Sequence, residues 1–325
     1  MELKLTKDNL CAIINPAAKC RRSAGLFEKR YFPQICEILG FKVEHFLTNS
    51  ALHASELIDE LQGRGFSIFL IFGGDGTIND CLQNFGTDSV LLPVPLGSAN
   101  DFSRRLGFYK PDDSFAALKR IKAGADNIKK MDLGAAESEG EIKRIFVNHF
   151  GLGVTARCVH MAEESWLKIY LLIGLFSLFK ALPFPIKIDF GGKTLEESIL
   201  GFEFLLTRTV GKIINIAPYK VEGDGTFSLF KIGVLSSLGK FNLIARMPFG
   251  KLLPRMSQLT LLDNNFPENQ KDFTPFQSAV VSGNNWKDRL FHVDGNPLDS
   301  SLFSVGSPIK IFVKQKALSV IYSGE

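Results

Sequence analysis

Three short stretches of this chain hold the polar side chains from which chemistry could be built. Gly73-Gly74-Asp75-Gly76-Thr77 follows the apolar run Ile68–Phe72 and leads into Ile78-Asn79-Asp80. Glycines on both sides of one aspartate let successive backbone N–H groups point at a single spot, an anion nest at the start of a helix. Such a loop suits a phosphate. A carboxylate inside it would be repelled by bound phosphates unless a metal or a transferable proton is present, so Asp75 fits metal binding or base catalysis better than passive phosphate holding. The plain alternative is a glycine turn in which Asp75 caps a helix. The second stretch is Pro95-Leu96-Gly97-Ser98-Ala99-Asn100-Asp101-Phe102, which offers close backbone approach at Gly97, a hydroxyl at Ser98, an amide at Asn100 and a carboxylate at Asp101. The third is Ile13-Ile14-Asn15-Pro16-Ala17-Ala18-Lys19. Each taken singly reads as a capped turn; three of them at neighbouring sheet ends make one crevice.

The elements that must position these loops follow from the apolar pattern. Leu10–Ile14 reads as a buried strand, Ala24–Leu39 as a helix, Phe41–Leu47 as a strand, Ala51–Gln62 as a helix and Ser67–Phe72 as a second buried strand. A helix opens near Thr77, a strand covers Val90–Val94, and a helix covers Ser114–Ala123. This β-α-β-α order implies a parallel sheet with helices on both faces, whose ligands sit at the carboxyl ends of the strands. Beyond Asn127 the texture changes to short alternating segments: Arg144–His149, Ile186–Phe190, Ser198–Thr207, Thr226–Ile232, Ser278–Ser282, Leu290–Val293 and Pro308–Val313. Turn signals such as Gly191-Gly192 and Gly223-Asp224-Gly225 separate them, and helices are expected near Ser165–Leu182 and Ser237–Leu252. The expected domains are therefore 1–126, α/β, and 127–325, mainly β, with the last strand free to return to the first domain.

Composition narrows the function classes. At 325 residues, 45% hydrophobic and 22% charged, the chain can bury a sizeable interior. Its 38 basic and 34 acidic residues leave a formal charge of +4, too mild a bias to demand nucleic acid but compatible with phosphates or an anionic surface. The 29 phenylalanines speak for a greasy core or cleft. Five cysteines, Cys11, Cys20, Cys36, Cys81 and Cys158, show no C-x-x-C spacing, which argues against a disulfide framework or zinc site and for a reducing cytosol. The first ten residues intersperse charges where a signal peptide needs an apolar run. Ile169–Phe179, closed by Lys168 and Lys180, falls short of the roughly 20 apolar residues of a spanning helix, so it can lie on a bilayer but not cross one. His45, His53, His149, His160 and His292 show no ligand spacing.

With these motifs in place the sequence resembles the bacterial YegS-like lipid kinases, which share the diacylglycerol kinase catalytic domain with sphingosine and ceramide kinases. Gly73–Asp80 resembles the family's G-G-D-G-T-x-N-E, Pro95–Phe102 its P-x-G-T-x-N-D-F, and Ile13–Lys19 its N-P opening. The resemblance continues through Met131–Gly134, Phe146-Val147-Asn148 with Gly151-Leu152-Gly153, Ala217-Pro218, Gly223-Asp224-Gly225 and Val293-Asp294-Gly295-Asn296. The glycine loop alone would also fit NAD kinases and phosphofructokinases; the later stations make the match more specific. The resemblance implies a Rossmann-like nucleotide domain, a β-sandwich domain after it, and an active site in the inter-domain cleft. It implies an ATP-dependent, magnesium-using kinase that phosphorylates a hydroxyl of a membrane lipid, with diacylglycerol, phosphatidylglycerol or a sphingoid base as acceptor. The setting it implies is cytoplasmic and peripheral at the membrane, compatible with a homodimer.

Carried over residue by residue, ATP would contact Asn15, Thr48, Gly73, Gly74, Asp75, Gly76, Thr77 and Ser98, which keeps the hydroxyl where the family usually has Thr. Asp75 and Asp101 would organise magnesium and phosphates. Val221, Asp224 and Thr226 have the spacing of the family's structural magnesium site; a plain hairpin turn at Gly223–Gly225 is the alternative. Ile169–Phe179 falls where the family has a helix beside the lipid cleft, and its borders suit either an interfacial anchor or a buried helix. One departure matters. The family's Asp-Gly-Glu, whose glutamate is a proposed catalytic base, reads Asp294-Gly295-Asn296, and an amide cannot accept the substrate's proton. Either Asp75 serves as base or the chain is an impaired lipid- or nucleotide-binding relative; a soluble-substrate kinase of the NAD kinase type is a further alternative. Lys19 replaces a frequent family glycine and, with Arg21 and Arg22, could meet phosphate or start a solvated helix.

Overall fold

The computed structural model describes residues 3–18, 23–164, 176–207, 209–210, 214–215, 223–234, 275–283, 285–287 and 289–324. Lys19, Arg21, Arg22, Trp166, most of Ile169–Phe179, Ala217-Pro218, Val221 and the helix expected over Ser237–Leu252 lie outside the described residues. The chain divides into two compact units, Met1–Asp132 with Gln315–Glu325, and Leu133–Lys314.

In the first unit β1 (Leu10–Ile14) lies between β2 (Glu44–Leu47) and β3 (Ile68–Gly73), and β3 pairs with β4 (Val90–Pro95), all parallel. Ser319 and Val320 of the last strand add to β4, also in parallel. Every residue of β1, β3 and β4 is buried, as the uninterrupted apolar runs require of a sheet covered on both faces. The covering helices start and stop on local signals. Ser50 caps Ala51–Gly63 by accepting the His53 N–H at 3.1 Å. Gly40, at φ +79°, ends Phe32–Leu39 in the left-handed conformation. The helix expected over Ala24–Leu39 contains a π-turn, Phe27–Tyr31. Pro33, at the start of the next segment, has no N–H to give and would crowd the carbonyl four residues back, so the ladder slips by one residue and Phe32 donates to Phe27 O instead.

Two strands carry the chain between the units: β5 (Ile128–Ser138) on the way out and the last strand, Ile309–Ile321, on the way back. The second unit is antiparallel, so the expected α/β plus β class holds. It contains β6 (Glu141–Phe146), β7 (His149–Gly153), β8 (Phe184–Phe190), β9 (Lys193–Leu205), the short pair β10 (Thr209–Val210) and β11 (Ile214–Asn215), β12 (Ser228–Gly233), β13 (Ser278–Ser282), β14 (Phe291–Val293), β15 (Asn296–Leu298) and β16, the returning strand. β9 is long enough to pair with β8 over its first half and with β7 over its second, while β12 occupies its other edge. Alternate residues of three strands, Phe150 and Leu152, Phe202 and Phe204, Phe291 and Val293, enter one aromatic core. Much of the phenylalanine excess is spent there. The helix Val154–Glu164 packs against β7, β9, β14 and β15. The expected helix lay further on, at Ser165–Leu182, of which 176–180 is helical among the described residues. No helix among the described residues is long and apolar enough to cross a membrane.

The single strand expected over Arg144–His149 is two strands, β6 and β7, and the cause lies far along the chain. Asp294 and Gly295, at φ +50° and +76°, form a two-residue turn that pairs Val293 with Asn296. The Asp294 carboxylate accepts the N–H groups of Val147 at 2.9 Å, Asn148 at 2.7 Å and His149 at 3.0 Å. Those amides turn toward the carboxylate instead of toward a neighbouring strand, and the strand breaks. Asp294→Ala strands three buried donors, each worth about 1–3 kcal/mol when left unpaired. Urea denaturation should show a loss of at least about 3 kcal/mol; a loss below about 1 kcal/mol would mean that the loop is held by something else.

Candidate functional site

The carboxyl ends of β1, β2, β3 and β4 deliver Asn15, Thr48, the Gly73–Thr77 loop and the Leu96–Asp101 loop to one edge of the first unit. The ladder continues past the strand ends: Thr48 donates to Ile14 O at 2.9 Å, Asn15 to Phe72 O at 3.0 Å and Leu96 to Gly73 O at 2.8 Å. Side chains then tie loop to loop. Asn15 Nδ2 donates to Thr77 Oγ1 at 2.8 Å, and Asn15 Oδ1 accepts from Ala17 N at 2.9 Å. Gly74 and Gly97 meet backbone to backbone. A Cβ on Gly97 would stand 2.5 Å from Gly74 Cα, and one on Gly74 would stand 2.8 Å from Gly97 Cα. The two glycines are therefore required by the approach of the loops and not by their own dihedral angles.

Asp75 opens the helix Asp75–Leu82, yet its carboxylate serves a different helix. Its Oδ2 accepts from Asp101 N at 3.0 Å and its Oδ1 from Phe102 N at 2.9 Å, the first amides of Asp101–Arg105. A buried carboxylate thus caps a neighbouring helix N-terminus, where the dipole favours negative charge. A carboxylate offers about four lone-pair sites in all, the acceptor capacity that cation binding or proton uptake would draw on. Asn100 precedes that helix in the left-handed conformation at φ +55° and clamps Gly97 twice, accepting from its N at 2.8 Å and donating to its O at 2.9 Å. Thr48 and Thr77 are buried, Asp101 is half-buried and Ser98 is exposed. All eight nucleotide candidates and Asp101 therefore sit on the same strand-end edge.

In the second unit Asn296 follows the Asp294-Gly295 turn, half-buried, with Nδ2 3.2 Å from Asp294 O. The turn geometry explains Asp294 and Gly295 fully, and leaves residue 296 as the position whose type is open. Asp224 and Thr226 are brought together: Asp224 Oδ1 accepts from Thr226 N at 2.9 Å and from Thr226 Oγ1 at 2.7 Å. Gly223 and Asp224 are exposed. An exposed carboxylate among oxygen donors fits magnesium, while Val221, the third member, lies outside the described residues.

Sequence reasoning missed a buried cluster. Glu203 Oε1 is 2.6 Å from His292 Nε2, and its Oε2 is 3.3 Å from His149 Nδ1. Burial would raise the Glu203 pKa, but the two histidine rings, by charge and hydrogen bonding, outweigh it and hold the carboxyl well below the usual range. The only sequence signal is the alternation Phe202-Glu203-Phe204, which says that Glu203 faces away from the aromatic core.

Glycine-backed amides, a capping aspartate and a parallel strand edge together make an arrangement that could hold a phosphate group. Comparison with known proteins says what kind of protein carries it. Residues 9–136 match the family model of the diacylglycerol kinase catalytic domain, and the chain carries that domain. It is 27% identical over 230 residues to a diacylglycerol kinase of Bacillus subtilis (strain 168), covering 67% of this chain and 73% of that one. It is 32% identical over 194 residues to a protein of Pseudomonas putida named "Probable lipid kinase YegS-like", covering 57% and 62%. Its fold matches a crystal structure of a diacylglycerol kinase from Bacillus anthracis str. Sterne with a TM-score of 0.67, at 20% identity over 98% of both chains. These similarities support a lipid kinase.

Two outcomes follow from this geometry. Gly97→Ala should push the two loops apart and lower the melting temperature by several degrees, with nucleotide affinity falling at least tenfold in a filter or calorimetric binding assay; unchanged affinity would mean that the Gly74–Gly97 approach does not shape the site. The depressed Glu203 pKa makes its ionised form a source of stability above the ordinary carboxylate pKa of 4.5. That stability is lost as pH falls below this value toward the folded-state pKa. Urea midpoints between about pH 6 and pH 3 should therefore fall more steeply for wild type than for Glu203→Gln, and parallel curves would refute the assignment.

Proposed function

We propose that this chain is an ATP-dependent lipid kinase that transfers the γ-phosphoryl group of ATP to a hydroxyl of a membrane lipid. Diacylglycerol, phosphatidylglycerol and sphingoid-type lipids are the acceptor class. The observation that carries the reading is Asp75: a buried carboxylate held on the amides of Asp101 and Phe102, between two glycine loops that touch backbone to backbone. Asn15, Thr48, Gly73, Gly74, Gly76, Thr77 and Ser98 would bind the nucleotide, the amides of the glycine loop neutralising phosphate charge. Magnesium would supply charge neutralisation for the phosphates, with Asp75 and Asp101 to hold it and Asp224, with the Val221 and Thr226 carbonyls, to take a second, structural ion.

Chemically, the lipid oxygen forms a bond to the γ-phosphorus while the bond from that phosphorus to the bridging oxygen of ADP breaks. The hydroxyl proton must leave, and Asn296 has no basic oxygen to receive it. Asp75 is therefore the base in this reading. Delivery of a lipid needs a surface to meet the bilayer. Phe176, Phe179 and Leu182 are exposed, with the Lys180 ammonium 4.8 Å from the Phe176 ring centre, a composition suited to an anionic membrane face. The four cysteines among the described residues are free thiols, in keeping with a cytoplasmic setting. A second reading, a nucleotide- or lipid-binding protein without transfer, is favoured by Asn296.

The test is label transfer from γ-labelled ATP, with magnesium, to mixed micelles of the three lipid classes. Wild type should label lipid, and Asp75→Ala should lose at least 10²–10⁴-fold in rate, roughly what a positioned base contributes. The same variant should also lose stability, because two helix amides lose their acceptor. Asn296→Glu distinguishes the base assignments: a rise of tenfold or more, about 1.4 kcal/mol of barrier, would move the base to position 296, whereas a level or lower rate keeps it at Asp75. Nucleotide binding with no transfer by wild type would favour the second reading, and label confined to a water-soluble acceptor would overturn the lipid assignment.

A further inference from the structure

His292 on β14 stands opposite Gly151 on β7, and Gly151 stands opposite Glu203 on β9. Two strand spacings, roughly 9–10 Å, therefore separate the backbones of His292 and Glu203. Their side chains meet across the intervening strand at 2.6 Å. Gly151 permits this: a Cβ there would lie 2.2 Å from His292 Nε2 and 2.5 Å from Glu203 Oε1. His149, two residues before Gly151 on the same face, joins from the side at 3.3 Å. All three side chains are buried, with relative exposures of 3% for His149, 2% for Glu203 and 1% for His292.

Two imidazoles and a carboxylate are also a transition-metal ligand set, and their donor atoms lie within 4.8 Å of one another. A proton explains the geometry better. Two ligands of one tetrahedral ion at about 2.0–2.1 Å must be about 3.3 Å apart, whereas 2.6 Å is far too close for that and lies next to the short end of the charge-assisted N–H···O range, about 2.7–2.9 Å. One imidazolium also balances one carboxylate, while a divalent ion would leave excess charge in a closed interior. The Nδ1 of His292 lacks a partner in either case among the described residues, so it does not separate the two.

The bridge belongs to a closed circuit. His292 leads along β14 to Asp294, whose carboxylate holds the amides of Val147, Asn148 and His149. His149 leads back to Glu203, and Glu203 to His292. The turn that presents residue 296 is inside this circuit. We propose that Glu203, His149 and His292 are positioning residues that lock the Asp294-Gly295 turn, and with it the Asn296 amide, in one placement from which it orients the lipid hydroxyl by hydrogen bonding and takes no proton. The functional half of this inference rests on the kinase reading; the structural half does not.

The test uses the full chain with Glu203→Gln and His292→Gln, and Ile199→Val on β9 as a control that weakens the same sheet away from the cluster. Hydrogen exchange of the Val147, Asn148 and His149 amides should quicken at least tenfold in both cluster variants and not in the control, with β1 and β3 unchanged. Turnover with lipid should fall at least tenfold while the KM for ATP stays within twofold. In wild type, a proton NMR spectrum should show a far-downfield, slowly exchanging imidazole proton, a readout that needs no variant to fold. Exchange at 147–149 that matches the control, or absence of that proton, would overturn the lock. Metal analysis that finds one equivalent of zinc or iron in the purified chain would overturn the proton in favour of an ion. Absence of lipid labelling by wild type would sink the kinase reading alone and leave the exchange data to decide the bridge.

Discussion

The Asp75 carboxylate, with one oxygen 3.0 Å from Asp101 N and the other 2.9 Å from Phe102 N, is the joint on which the first unit's strand-end edge depends. An ionised acceptor on two helix-terminal amides is among the stronger hydrogen-bonding arrangements available to a protein, and here it is removed from water. It connects the loop after β3 to the loop after β4. The closeness it enforces is what leaves no room for a side chain at residue 74 or 97. The Asn15–Thr77 hydrogen bond attaches the loop after β1 to the same assembly. Preorganisation of this kind lets amides face a phosphate with little reorganisation when it arrives.

The second unit uses a carboxylate in a parallel way. Asp294 gathers three consecutive amides as Asp75 gathers two, and both aspartates belong to short glycine-containing segments. In each unit one acidic side chain substitutes for a missing stretch of ladder and fixes a loop by satisfying its backbone. The aromatic core behind β7, β9 and β14 then supplies bulk stability on one face, while the polar cluster of Glu203 occupies the other.

How far this was legible in the sequence depends on the range of the forces involved. Strands β1 and β13 fall at the residues the apolar pattern marks, because a buried run bounded by turn residues is a local signal. The glycine loops were legible for the same reason: a strand, a tight turn and a helix start are written within a dozen residues. The break between β6 and β7 was not, since its cause, Asp294, is 146 positions away from Asn148. Glu203 illustrates a different limit. Period-two alternation shows that it leaves the aromatic face, but the covering of the opposite face is decided by tertiary packing, and a polar residue on such a face would ordinarily be read as wet. The π-turn in the first long helix was marked by Pro33, a signal that points to a disturbance without saying which kind.

The return of the last strand to β4 also bears on how the molecule can be made. Ser319 and Val320 extend the parallel sheet of β1 to β4, strands that all lie in the first hundred residues. During synthesis β4 emerges with one side unpaired, and stays so until Ser319 and Val320 have left the ribosome. An apolar strand with an open row of amides and carbonyls is a template for association with other chains. The whole second unit is translated in that interval. Chaperone demand should therefore concentrate on this interval, and a fragment cut at residue 132, however complete it looks by motif, would carry a permanently open edge.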